Sequence, residues 1–314
     1  MIIVEKGASP LILCLPHSGV DIPPAIETRL SATGRLQADI SWRLEKVLDI
    51  ARELDATIIR STISRYVIDV DQKGENPDEP MEAPFGPLCP TSTLDLKRIY
   101  KADEEPGFVE IDQRKLLFYF PFHNALEQEI GRLRKLHDQV VLFDCQSIRS
   151  RIRGFVEGEL PVINIGTGEG SSCADGVKDA FAGSFAGLSG FSVSIDGQFK
   201  GGHILRRYAD PLRGLHAMTL VIAQRVYLRH ESPPFEPDKA RIARLKTVLI
   251  DGFSKIIDWA KIDRTAQVCS SLQTAKQEGV CSSDNAGIDY IGPAETVAAK
   301  GNDEIFEAPL PSAG

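Results

Sequence analysis

No apolar run in this chain approaches the roughly 18 residues that a membrane span requires, which excludes a bilayer-crossing helix. The six cysteines (Cys14, Cys89, Cys145, Cys173, Cys269, Cys281) are scattered, without CxxC or finger spacing. That excludes a zinc module and a disulfide framework, and predicts buried free thiols. There is no excess of basic charge: the formal net charge is -8 with both signs interspersed, so neither nucleic acid nor an anionic membrane surface is expected as the main partner. The N-terminus has no charged leader ahead of a long apolar segment, so a cytoplasmic location is expected. No repeat is visible. The Gly166, Gly168 and Gly170 series lacks the Lys and Ser/Thr of a phosphate loop, so these glycines are read as close backbone approach.

What is present is a chain of 314 residues, 42% hydrophobic, enough to bury a large core without covalent staples. Apolar or alternating runs at 11–15, 56–60, 140–143, 162–165, 191–195 and 214–223 predict strands. Helical periodicity is read at 39–54, where Asp39 is placed to cap, at 112–136 with a break near Pro121, at 173–188 and at 241–260. Residues 64–71 read as a β-type segment whose alternation sets Asp69 and Asp71 on one side. Strands alternating with helices predict an α/β fold, a three-layer mixed sheet flanked by helices. A single domain is expected over residues 1–260. Beyond it, at 261–314, sparse large apolar residues predict a weakly packed or disordered tail. The Pro- and acid-rich stretch 72–90 reads as a long loop.

The centre of the pattern is the run 140–150, a buried strand opening into a loop. Its end offers Asp144, Cys145, Gln146, Ser147 and Arg149, and the carboxyl ends of strands are where open α/β sheets place their sites. Pro16 and Gly19 put His17 and Ser18 on a loop at the end of another strand. Gly201 and Gly202 would let a ligand approach the backbone, and Arg65, Arg149 and Arg206 are suited to carboxylates through paired N–H donors. His216 opens the last strand, and His123 follows the helix break, where packing into the core is expected.

Six ordered blocks carry a family resemblance: Pro16-His17-Ser18-Gly19, Ser64-Arg65-Tyr66-Val67-Ile68-Asp69, Leu88-Cys89-Pro90-Thr91, Asp144-Cys145-Gln146-Ser147-Ile148-Arg149-Ser150, Gly201-Gly202-His203 and His216-Ala217. Between about residues 10 and 230 the chain resembles the N-formylglutamate amidohydrolase family. The resemblance implies a phosphorylase/hydrolase fold of the zinc carboxypeptidase-like type. It also implies hydrolysis of N-formyl-L-glutamate to formate and glutamate, an end step of histidine breakdown. A divalent metal, zinc, would polarise the formamide carbonyl and lower the pKa of a bound water. On this resemblance the expected ligands are His17, Asp39 and Gln146, with Asp69, Asp71 and His216 as catalytic groups. Ser18, Arg65, Arg149, Gly201, Gly202 and Arg206 are expected to bind a small-molecule substrate bearing carboxylates.

The chain departs from the family pattern at four polar places. Gln146 stands for a histidine, and Val221 for a glutamate. The block Asp39-Ile40-Ser41-Trp42-Arg43 lacks one acid and a histidine, and Asp71-Gln72 replaces an Asn-Arg pair. Two functions therefore stand side by side: a metal-assisted amidohydrolase of an N-formyl or N-acyl amino acid, or a non-catalytic anion-binding paralogue that holds no metal.

Overall fold

The computed structural model describes residues 1–74 and 86–262. The tail expected at 261–314 falls outside these from residue 263 on, as do Cys269, Cys281 and residues 75–85 of the long loop. Strands β1 (Ile2–Glu5), β2 (Leu11–Leu15), β3 (Thr57–Ser61), β4 (Val140–Ile148), β5 (Ile163–Gly166), β6 (Val193–Ile195) and β7 (Leu215–Ala223) form one sheet in the order β1-β3-β2-β4-β7-β5-β6. β3, β2, β4 and β7 run parallel, so their carboxyl ends share one edge. The sheet is mixed because β1 is antiparallel to β3 and β5 is antiparallel to β7.

Alternation of side chains sorts the central strands into two faces. Val141, Phe143 and Cys145 pack with Leu13, Met218, Leu220 and Ile222 on one face. Helices α5 (Asp175–Gly183) and α7 (Lys239–Lys261) cover it. Val140 and Leu142 pack with Ile12, Cys14 and Ala217 on the other, beneath α4 (Phe120–Leu133) and α6 (His203–Tyr208). The result is the expected three-layer α/β arrangement. All nine residues of β4 are buried. Each apolar one contributes roughly 1.5–3 kcal/mol, which offsets the cost of enclosing Asp144 and Gln146 at the same strand's end.

The helix read at 241–260 is α7, two residues longer at its start because Asp238 caps it. The Asp238 carboxylate accepts from the N–H of Ala240 at 3.0 Å and of Arg241 at 3.1 Å. Short helices α1 (Pro24–Glu27), α2 (Ala32–Leu36) and α3 (Phe108–Arg114) complete the set. Cys14, Cys89, Cys145 and Cys173 are buried free thiols. Among the described residues, no helix is long and apolar enough to cross a membrane.

Three segments differ from their pattern. Residues 39–54 form 3-10 turns at Leu44–Lys46 and Leu48–Arg52 in place of one helix. Tertiary ties explain it: Ser41 N–H donates to the His17 carbonyl at 2.9 Å and the Tyr227 hydroxyl to the Trp42 carbonyl at 2.8 Å. Residues 64–71 are turns, not strand, because the Ser64 carbonyl accepts from Val67 N–H at 2.9 Å and winds the chain. The long helix is split by a π-helical turn, Lys115–Tyr119, directly before Phe120-Pro121. Pro121 brings no N–H for the carbonyl four residues back, and the backbone widens there.

Candidate active site

The strand order carries His17 and Gln146 to the same edge. His17 follows β2 after the Pro16 break, and Cys14 on β2 registers with Asp144 on β4. His17 is 3% exposed, with Nε2 2.6 Å from Asp69 Oδ1 and Nδ1 3.0 Å from Gln146 Oε1. The turn at 64–72 delivers two further groups. Arg65 and Asp69, four residues apart, face one another with Nη2 donating to Oδ2 at 2.6 Å. Asp71 N–H donates to Asp69 Oδ1 at 3.0 Å, which fixes the second acid beside the first.

Gln146 links the strand acids to this turn. Its Nε2 donates to Asp71 Oδ2 at 3.0 Å and to Asp144 Oδ2 at 2.7 Å. The Thr219 hydroxyl also donates to Asp144 Oδ2, at 3.3 Å. Asp144 Oδ1 is buried without a partner among the described residues, as is Ser18 Oγ next to His17. Asp71 Oδ1 accepts from Ile204 N–H at 2.7 Å. Gly202 precedes this turn of α6, and a Cβ there would lie 1.8 Å from Asp71 Oδ2. The group that approaches the expected glycine backbone is thus the protein's own carboxylate.

The acids are unequal. Burial raises Asp144 well above the carboxylate range, and the charge of Asp71 adds to it. Burial likewise raises Asp71, to about 6, against the opposing charge of His17. For Asp69, burial is outweighed by Arg65 and His17, which hold it far below the usual range.

Asp39 belongs to an adjoining group. Its Oδ2 accepts from the Tyr66 hydroxyl and the Leu94 N–H, each at 2.9 Å, and its Oδ1 from Arg149 Nη2 at 2.8 Å. It caps no helix. Arg149 also lies 3.5 Å from Asp95, and its Nε is buried without a partner among the described residues. Arg206 lies on the exposed side of α6 with Nη1 on the Gly201 carbonyl at 3.0 Å.

His216 is placed elsewhere. It registers with Val141 while Gln146 registers with Val221, so it stands near the opposite end of the sheet. By alternation it also points to the opposite face, where its ring lies edge-on to Trp259. Its Nδ1 accepts from Ala174 N–H at 3.2 Å and its Nε2 meets Gln139 Oε1 at 2.8 Å. The expected role of His216 at the site is corrected on both counts. Thr219 and Tyr66 were not singled out as site residues, and Asp144, read at the end of the central strand, was given no role. Asp144 carried a signal, since it lies two residues from Gln146 on a strand and shares its face.

These residues do not fit a divalent ion. His17 presents both ring nitrogens to protein oxygens, the Gln146 carbonyl oxygen is taken by His17, and both Asp39 oxygens are taken. Arg65 already compensates Asp69. Among the described residues, no group of three or more His, Cys, Asp or Glu side chains is arranged to hold a metal.

Comparison with known proteins places these observations in a family. Residues 9–228 match the model of the N-formylglutamate amidohydrolase family. An N-formylglutamate deformylase of Pseudomonas putida is 32% identical over 230 residues, which is 73% of this chain and 85% of that protein. Its counterpart in Pseudomonas aeruginosa is 29% identical over 258 residues, or 82% and 96%. The crystal structure of an N-formylglutamate amidohydrolase from Ralstonia eutropha superposes with a TM-score of 0.70 at 20% identity, covering 83% of this chain and 98% of that one. A gene product of Agrobacterium tumefaciens superposes at 0.63 with 17% identity, covering 83% and 96%.

Proposed function

Because this chain belongs to the N-formylglutamate amidohydrolase family, we propose that it hydrolyses an N-formyl or N-acyl amino acid of the N-formylglutamate type. The products are a carboxylate and the free amino acid. Both curated relatives carry the name N-formylglutamate deformylase. The observation that carries the reading is the His17–Asp69 pair, 2.6 Å apart at the carboxyl edge of the sheet, with Asp71 in the same turn.

A formamide is a poor electrophile, so the site must activate water and protonate the departing nitrogen. Asp71 takes a proton from the water as its oxygen bonds to the acyl carbon. The C–N bond then breaks and the same proton passes to the amine. Asp69 orients the His17 ring and offsets charge on it. Arg149, held by Asp39 and with Nε unpartnered among the described residues, stands ready for a substrate carboxylate through charge-assisted donation.

Formate release from N-formyl-L-glutamate tests the proposal. Turnover that falls on the order of 10²–10⁴-fold in His17→Ala and Asp71→Asn supports it. A second function is favoured by Gln146 and Val221: a small-anion-binding protein without hydrolysis. Saturable binding of N-formylglutamate with no acyl group released from any N-acyl amino acid would select that one.

A further inference from the structure

Gln146 is held from two sides. With Nε2 donating to Asp71 and Asp144, its Oε1 faces His17 Nδ1, at 3.0 Å. The other ring nitrogen faces Asp69 Oδ1 at 2.6 Å. A ring nitrogen that donates its hydrogen to an oxygen has no lone pair for an ion. Both Asp69 oxygens and both Asp71 oxygens are also engaged. Among the described residues, Asp144 Oδ1 is the one carboxylate oxygen of the cluster without a hydrogen-bond partner, whereas a divalent ion takes three or more ligands from the protein. Val221, the register partner of Gln146 across β4 and β7, adds hydrocarbon alone and packs with Ile148 and Phe199.

We infer that Gln146 is a positioning residue that takes the place of a metal: its amide ties His17 on one side to Asp71 and Asp144 on the other, and Arg65, paired with Asp69, supplies the positive charge an ion would bring. The inference deepens the amidohydrolase reading and rests on it for its catalytic meaning, but its test does not depend on turnover.

The full-length chain is equilibrated with excess zinc, desalted and analysed for metal, alongside His17→Ala, Gln146→His and the double variant. The wild type is expected to retain less than about 0.1 equivalent, and Gln146→His about one, lost again in the double variant, since an imidazole there adds a lone pair beside the acids. Nitrogen-15 NMR of the wild type gives a second readout that needs no variant to fold. The His17 ring-nitrogen signals of the wild type are expected to stay where they are when zinc is added, because the ring is already held by Gln146 and Asp69. About one equivalent of zinc in the wild type that His17→Ala abolishes overturns the inference. So does a His17 ring-nitrogen signal that moves on adding zinc. Formate release only after zinc loading overturns it and leaves the hydrolase reading standing. No release under any condition, with zinc unbound and the His17 signals unmoved by zinc, sinks the hydrolase reading and leaves the inference intact.

Discussion

Asp71 is gripped by backbone and amide donors yet pushed up to about 6 by burial, against the charge of His17. A base must be unprotonated to act, so kcat/KM for formate release should rise as pH passes through about 6 and level above it. Asp71→Asn should erase that acid limb along with the rate. Gly202 makes the position of Asp71 possible, because any Cβ there would collide with the carboxylate. Gly202→Ala is therefore expected to cost about 1–3 kcal/mol of stability and at least about tenfold in kcat, since it moves the base. Urea unfolding and steady-state kinetics on one preparation would check both. The identities of His17, Asp69, Asp71 and Gln146 were legible from blocks of sequence. Their pairing was not: Asp39, expected beside His17, answers instead to Tyr66 and Arg149.

At the scale of elements, the stretch 108–133 shows how a local break redistributes a hydrophobic face. The helical pattern at 112–136 includes Leu116 and Leu117 among its apolar residues, but within the π-helical turn they are 67% and 65% exposed, while Leu126 and Leu133 are fully buried. Leu116→Ser should leave the unfolding free energy within about 0.5 kcal/mol, and Leu126→Ala should lower it by about 2–5 kcal/mol. Equal losses at both positions, read by denaturant titration, would mean that the turn does not rotate the face outward. The sequence marked the break at Pro121 but not its kind, since proline removes a donor without dictating how neighbouring carbonyls are met. The turn at 64–72 shows the same limit. Its alternation suits a strand, and the Ser64 carbonyl and the Arg65–Asp69 pair wind it up.

For the molecule as a whole, the acid side of stability is coupled to the layer that backs the site. His123 on α4 reaches the Asp69–Asp71 turn, with Nε2 donating to the Val70 carbonyl at 2.9 Å and Nδ1 accepting from the Tyr208 hydroxyl at 2.7 Å. Burial, then the charges of Arg207 and His203, lowers its pKa to about 3. Below the ordinary value of about 6.5, the unfolded chain takes a proton that the folded chain refuses. Its stabilising contribution is thus complete above about 6.5 and is lost as pH falls towards about 3, by up to about 1.4 kcal/mol per pH unit. The urea-unfolding free energy of the wild type minus that of His123→Gln, which keeps a donor and an acceptor and leaves the raised Asp71 and Asp144 common to both chains, should fall along that slope through pH 7, 5.5 and 4.

By itself the sequence determined the layers, the strand whose end bears the acids, the inward His123 and the family. Those follow from periodicity and from short motifs, which are local properties of the chain. Only the tertiary structure decided that His17 meets Gln146 and Asp69, that Asp39 pairs with Arg149, and that His216 stands on the far face near the other end of β7. Hydrogen-bond partners separated by up to 129 residues depend on strand order and register, and neither is written in the spacing of side chains along one strand.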